Sequence, residues 1–204
     1  MQKISTRRTN QERSQATRAA LVTAARQLFE VKGYAKTATP EVVEAAGITR
    51  GALYHHFVDK DDLFMAVALQ AAEEVASSIA KSSESTQEPM AALRAGAQAY
   101  FAAMSEPGRA KLLLMDASAV LNTQQLQQLS VAAGANELKA GLQALADQAS
   151  VAVPVQELCE LLSAAFDRAA LAIATGADAT KYQLAMQHLL ASVVVKSNAV
   201  SPIT

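Results

Sequence analysis

Apolar positions recur three and four residues apart along most of the chain, which is the spacing of helices with one buried face. Leu21, Ala24, Ala25, Leu28 and Phe29 form the first such stripe, and Lys32-Gly33 closes it with a cation and a C-terminal glycine. Thr39-Pro40 reads as a cap followed by proline at the first helical position, opening a short helix through Val42, Val43 and Ala46. A third helix begins at Thr49 and ends near Phe57. Asp59 starts a fourth, with Asp61 and Asp62 in its first turn, and its apolar stripe (Leu63, Val67, Leu69, Ala72) carries it to about Ala80.

The polar stretch Lys81 to Glu88 reads as a loop. Pro89 restarts a helix that runs through Leu93, Tyr100 and Met104 and stops at Pro107-Gly108. Leu112 to Leu121 forms another, ended by Asn122, and one long helix is expected from Gln124 to Gln148. Pro154 opens a strongly periodic helix (Leu158, Leu161, Leu162, Ala165, Phe166, Ala169) ended by Gly176. Asp178 caps the last, which carries Leu184, Leu189, Leu190 and Val193. The expectation is an all-α chain of about nine helices, with no strand and no internal repeat.

Composition agrees: half of the residues are apolar, aromatics are 4%, Trp is absent, and Ala and Leu dominate. Charge changes the picture more. From Met1 to Val58 nine basic residues face four acidic ones, a balance of +5, while the remainder carries −6. A basic head on an acidic body is the footprint of a polyanion-binding module fused to something else. The single Cys159 excludes an intramolecular disulfide and, among leucines, reads as a small packed hydrophobe suited to a reducing cytoplasm. The polar, basic start shows no signal peptide, and the apolar stretch Leu161 to Ala177 is interrupted by Asp167-Arg168, so no membrane span is expected.

The segment TPEVVEAAGITRGALYHHF, Thr39 to Phe57, carries the chemistry. Gly47 can take the left-handed conformation that turns the chain sharply between two short helices. Thr49 can cap the second of these, exposing Arg50, Gly51 and Ala52 on its first turn, where a recognition helix meets base edges in the major groove. Small residues beside one arginine permit close approach, and Arg50 can bond a guanine bidentately. The adjacent His55 and His56 point about 100° apart on a helix and lack a third ligand, so no metal is expected.

Here the chain resembles the tetracycline-repressor (TetR) family. The family's phrases are "LFxxxGY", then "AxxAGVSxGxLYxHF", then "xxKxxL". This sequence has Leu28-Phe29 through Gly33-Tyr34, then Ala45-Ala46-Gly47-Ile48-Thr49-Arg50-Gly51-Ala52-Leu53-Tyr54-His55-His56-Phe57, with Lys60 and Leu63 at the expected offsets. The likeness covers about residues 13–70. It departs at Ala38, where a polar residue commonly precedes the second helix, leaving Thr39 as cap and phosphate donor. The resemblance implies an N-terminal three-helix DNA-binding domain, here 13–58, and a larger helical body, here 59–200, that binds an effector and dimerises. It implies phosphate contacts from Thr39, Tyr54, His55, His56 and Lys60 around Thr49, with Arg50, Gly51 and Ala52 facing bases. Leu53 and Phe57 should pack the recognition helix onto Leu28 and Val42.

The same resemblance implies a homodimer, joined through the last two helices by Leu158, Leu161, Leu162, Ala165, Leu189, Leu190 and Val193. Leu190 is taken as the outward member of its pair. A repressor of this kind reads a palindromic operator on double-stranded DNA and is released by a small molecule of unknown identity; a ligand-independent DNA-binding or protein-interaction module is the alternative. Candidate pocket residues are Leu69, Tyr100, Phe101, Met104, Met115, Leu138, Leu142 and Phe166. Asp116, set in the run LLLMDASAVL, is expected to be buried, and so needs either a structural partner such as Arg168 or a ligand. Arg7 and Arg8 read either as a minor-groove arm or as a polar tail. No Ser/His/Asp or Glu-x-x-His arrangement is present, so neither an enzyme nor a cofactor is expected.

Overall fold

A computed structural model of the 204-residue chain describes residues 9–84, 86–149 and 154–193, and the Arg7-Arg8 pair lies outside them. Within these residues the chain is helical and contains no strand. The helices are α1 (Asn10–Lys32), α2 (Thr39–Ala46), α3 (Arg50–His56), α4 (Lys60–Ser83) and α5 (Pro89–Met104). They continue with α6, a π-helical segment Lys111–Asp116 extended by Ala117–Val120, then α7 (Thr123–Ser130), α8 (Asn136–Ala149), α9 (Val155–Ala174) and α10 (Ala179–Val193). The described residues thus form ten helices, because α7 and α8 occupy the place of one expected helix. Contacts divide it into two compact units, Met1–Ala68 and Leu69–Thr204, and the division falls inside α4.

In the first unit, local chemistry sets the helix ends. Thr9 caps α1 by accepting from the Glu12 amide, and Glu12 reaches back to the Thr9 amide at 2.7 Å. The second helix starts one residue earlier than its sequence suggests. Ala38 holds the cap position and Thr39 is the first helical residue, because the Glu41 carboxylate accepts from the Ala38 amide at 3.1 Å and replaces a side-chain cap. Gly47 ends α2 in the left-handed region (φ 66°, ψ 31°), with its amide on the Glu44 carbonyl and the Ile48 amide on that of Val43. Thr49 then caps α3 from the Ala52 amide at 3.2 Å. Leu21, Ala25, Phe29, Val42, Leu53, Phe57, Leu63, Phe64 and Val67 fill the core between these helices, and Leu28 is half-buried beside them.

In the second unit α5 packs on α8 and α10, α9 packs on α8 and α10, and the π-helical part of α6 lies against α9. Tyr100, Phe101 and Phe166 form an aromatic cluster with centroids 5.5 to 5.6 Å apart. Helix α4 reaches Ser83, past its expected end. It is long and apolar enough to cross a membrane, yet half of its most apolar stretch is buried in protein, as in a core helix.

The helix expected from Gln124 to Gln148 is broken. Gly134 sits at φ 113°, ψ 14°, inside a π-helical segment Val131–Ala135. The positive φ favours glycine, and a Cβ there would lie 2.7 Å from Ile79 Cδ1, so the end of that side chain would have to move. The hydrophobic spacing continues across the break and gave no sign of it. Cys159 is buried, points its thiol at the Ala135 carbonyl, and burial pushes its pKa up.

Candidate nucleic-acid interface and cavity

The turn between α2 and α3 places one polar face in solvent. Thr49, Arg50, Gly51, Tyr54 and His55 are exposed, and Thr39, Ala52 and His56 are partly so, while Leu53 and Phe57 are buried beneath them. A Cβ at Gly51 would meet nothing within 4 Å, so the fold of the subunit does not require glycine at that point. The Arg50 guanidinium lies 5.6 Å from the Tyr54 ring centroid. The Thr39 hydroxyl, with Arg50 second, holds the Tyr54 hydroxyl below its ordinary pKa. Three candidate phosphate and base contacts are thereby tied into one cluster across α2 and α3. His55 and His56 meet edge to face, and the described residues contain no cluster of metal-ligating side chains around them.

Lys60 is engaged within the unit. Its ammonium donates to the Tyr34 carbonyl at 2.7 Å and lies 3.8 Å from the Tyr34 ring centroid, and partial burial lowers its pKa. Tyr34 in turn donates to Asp61 and packs edge-on against Phe64. The "GY" of the first phrase and the lysine of the last therefore clamp the start of α4 to the end of α1.

The second unit contains a cavity of about 830 Å³. Of the sequence candidates, Tyr100, Met104, Leu138 and Phe166 line it. Leu69, Phe101, Met115, Asp116 and Leu142 do not: Phe101 and Leu142 are core, and Met115 is exposed. Asp116, the last residue of the π-helical segment, is half-buried rather than buried.

The acid that does enter the cavity is Asp167. It is open to the cavity space, yet the surrounding protein desolvates it enough to raise its pKa, against the smaller opposing effect of Tyr100. The Tyr100 hydroxyl donates to Asp167 Oδ1 at 2.7 Å, and burial above all pushes the tyrosine's pKa far upward. Glu137 also lines the wall, and its Oε2 is shut off from solvent with no hydrogen-bond partner. The sequence held one clue to Asp167, its interruption of the apolar stretch Leu161 to Ala177. Nothing in the spacing singled out Glu137.

On α9 and α10 the structure separates the apolar residues into two faces. Leu162 and Leu190 turn into the subunit core at 6% and 1% exposure, whereas Leu161 and Leu189 stay 71% and 46% exposed. The outward assignment of Leu190 is thus corrected to Leu189, its neighbour about 100° round the helix. Leu158, Ala165 and Val193 are half-buried, and Leu184 joins the exposed set.

Comparison with known proteins places both units. Residues 21–67 match the family described as "Bacterial regulatory proteins, tetR family", and residues 90–194 match "Tetracyclin repressor-like, C-terminal domain". The HTH-type transcriptional regulator TtgR of Pseudomonas putida is 40% identical over 90 residues, 43% of this chain and 42% of that protein. The regulator AcrR of Shigella flexneri is 48% identical over 58 residues, 28% of this chain and 26% of its own length. These matches thus span less than half of the curated relatives. A solved TetR-family transcriptional regulator from Pectobacterium atrosepticum superimposes with TM-score 0.70 at 29% identity, covering 92% of this chain and 96% of the other.

Proposed function

This chain belongs to the TetR family of bacterial regulatory proteins, and we propose that it is a cytoplasmic, dimeric repressor released from its operator by a small molecule. The observation that carries the reading is the exposed first turn of α3, where Thr49 caps the helix, Arg50 and Gly51 stand in solvent, and no internal contact calls for the glycine. Such a turn enters a major groove with its backbone close to the bases, and Arg50 supplies a two-donor fork for guanine. Thr39, Tyr54, His55 and His56 flank it as phosphate contacts that set register, and Lys60 holds the frame.

One module of this size binds weakly, so two are needed. The leucines left in solvent on α9 and α10 support pairing through those helices, and two-fold pairing makes the operator roughly palindromic. The cavity then serves as the effector site. A ligand preferred by the state with wrongly spaced recognition helices lowers operator affinity, and the operator lowers ligand affinity by the same factor.

Selection of bound sequences from random duplex DNA by the purified protein tests the reading. Enrichment of an inverted repeat is expected. If no sequence is enriched over the starting pool, sequence-specific regulation is excluded.

A further inference from the structure

Resting on the reading of the cavity as the effector site, we infer that its ligand is a largely apolar molecule with a protonated amine, seated against the carboxylates of Asp167 and Glu137. The wall is largely apolar, with Leu93, Met104, Leu113, Leu138 and Phe166 among its residues, so most of the ligand must be hydrocarbon. Its charges are unbalanced. Among the described lining residues Glu84, Glu137 and Asp167 are acidic, and Arg168 is the only cation.

Two of those carboxylates are short of donors. Glu137 Oε2 is out of water and unpartnered, and Asp167 accepts only from Tyr100. Of the four serines in the wall, Ser83 and Ser118 donate their hydroxyls back to their own helices. A desolvated carboxylate gains most from a charged donor. An ammonium supplies that donor, and the π faces of Tyr100 and Phe166 favour a cation beside them. A carboxylate ligand would meet three like charges with only Arg168 to offset them. A neutral ligand could return only an uncharged donor to Asp167, a weaker bond than that of an ammonium.

The test uses three probes that share one ring and differ in the head group: 1-naphthylmethylamine, 1-naphthylmethanol and 1-naphthoate. Each is titrated by calorimetry into the full-length protein at neutral pH, then added to the operator complex. The amine is expected to bind roughly tenfold tighter than the alcohol, a difference of about 1.4 kcal/mol. The naphthoate should bind weakest. In the Asp167→Asn/Glu137→Gln double variant the amine should lose its advantage while the alcohol still binds.

An alcohol or carboxylate that binds as tightly as the amine overturns the inference and leaves the cavity reading intact. So does an amine preference that survives both substitutions. If no probe binds the wild type, both readings fall. Amine binding that leaves the operator complex undisturbed would uphold the ligand class and remove the sensor role. The wild-type ranking decides the question even if the double variant does not fold.

Discussion

At the scale of single residues, Gly51 separates folding from recognition. Glycine weakens a helix, and here no neighbour repays that weakness by closer packing. Gly51→Ala is therefore expected to raise thermal stability, by up to about 1 kcal/mol, and to lower operator affinity, because the added methyl points where the groove must come. Thermal melts and operator titrations measure the two effects; unchanged affinity would place Gly51 away from the DNA. Arg50→Ala addresses the neighbouring role. It should flatten base preference at one position in each half-site, with a loss of about 1–3 kcal/mol of discrimination. The profile against a panel of singly substituted operators is the measurement, and an unaltered profile would assign base reading to another residue.

Among the helices, the break at Gly134 and the acid of α9 are the features that hydrophobic spacing does not announce. Gly134→Ala introduces both left-handed strain and a methyl against Ile79 Cδ1, so a destabilisation of about 1–3 kcal/mol is expected in urea denaturation. Adding Ile79→Val removes the clashing carbon but not the strained φ, and should restore part of the loss. Full stability in the single variant would mean that α7 and α8 run on as one helix.

Asp167 gives a pH signature whose sign follows from its raised pKa. Between its unfolded and folded values the native state holds the extra proton. Stability therefore falls as pH rises through that window and stays lower above it. Asp167→Asn keeps an acceptor for Tyr100 but removes the titration, so its denaturation midpoint should decline less over the same range. Parallel wild-type and variant curves would show that Asp167 ionises in the native state as easily as in the unfolded one.

For the whole molecule, the decisive pair is Leu189 and Leu190, adjacent in sequence and opposite in consequence. Leu190→Glu places a charge in the subunit core, where truncation to alanine alone would cost about 2–5 kcal/mol, and should abolish the helical circular-dichroism signal. Leu189→Glu leaves that core untouched. In a dimer joined at this face it puts two unpaired carboxylates across the two-fold axis, so sedimentation should find a helical monomer with sharply reduced operator affinity. A Leu189→Glu protein that sediments as a dimer would move the interface to another surface.

How much of this was legible in the sequence depended on distance along the chain. The Thr49 cap, the Gly47 turn and the buried Leu53 and Phe57 were determined by groups a few residues apart, and short-range geometry converts such spacings into structure directly. Even there, Glu41 reached back to Ala38 and moved the start of α2 by one residue, a choice between two local hydrogen bonds that spacing does not rank. What only the tertiary structure decided was each outcome set by a distant neighbour. Ile79, fifty-five residues before Gly134, leaves little room for a side chain at the break. Tyr100, sixty-seven residues before Asp167, gives that acid its donor, while Asp116 lies outside the cavity. The packing of α10 on α5 and α9 turned Leu190 inward and Leu189 outward. A hydrophobic stripe reports that a helix has a buried side; its exact phase, and what stands opposite, follow from packing partners that the local pattern does not contain.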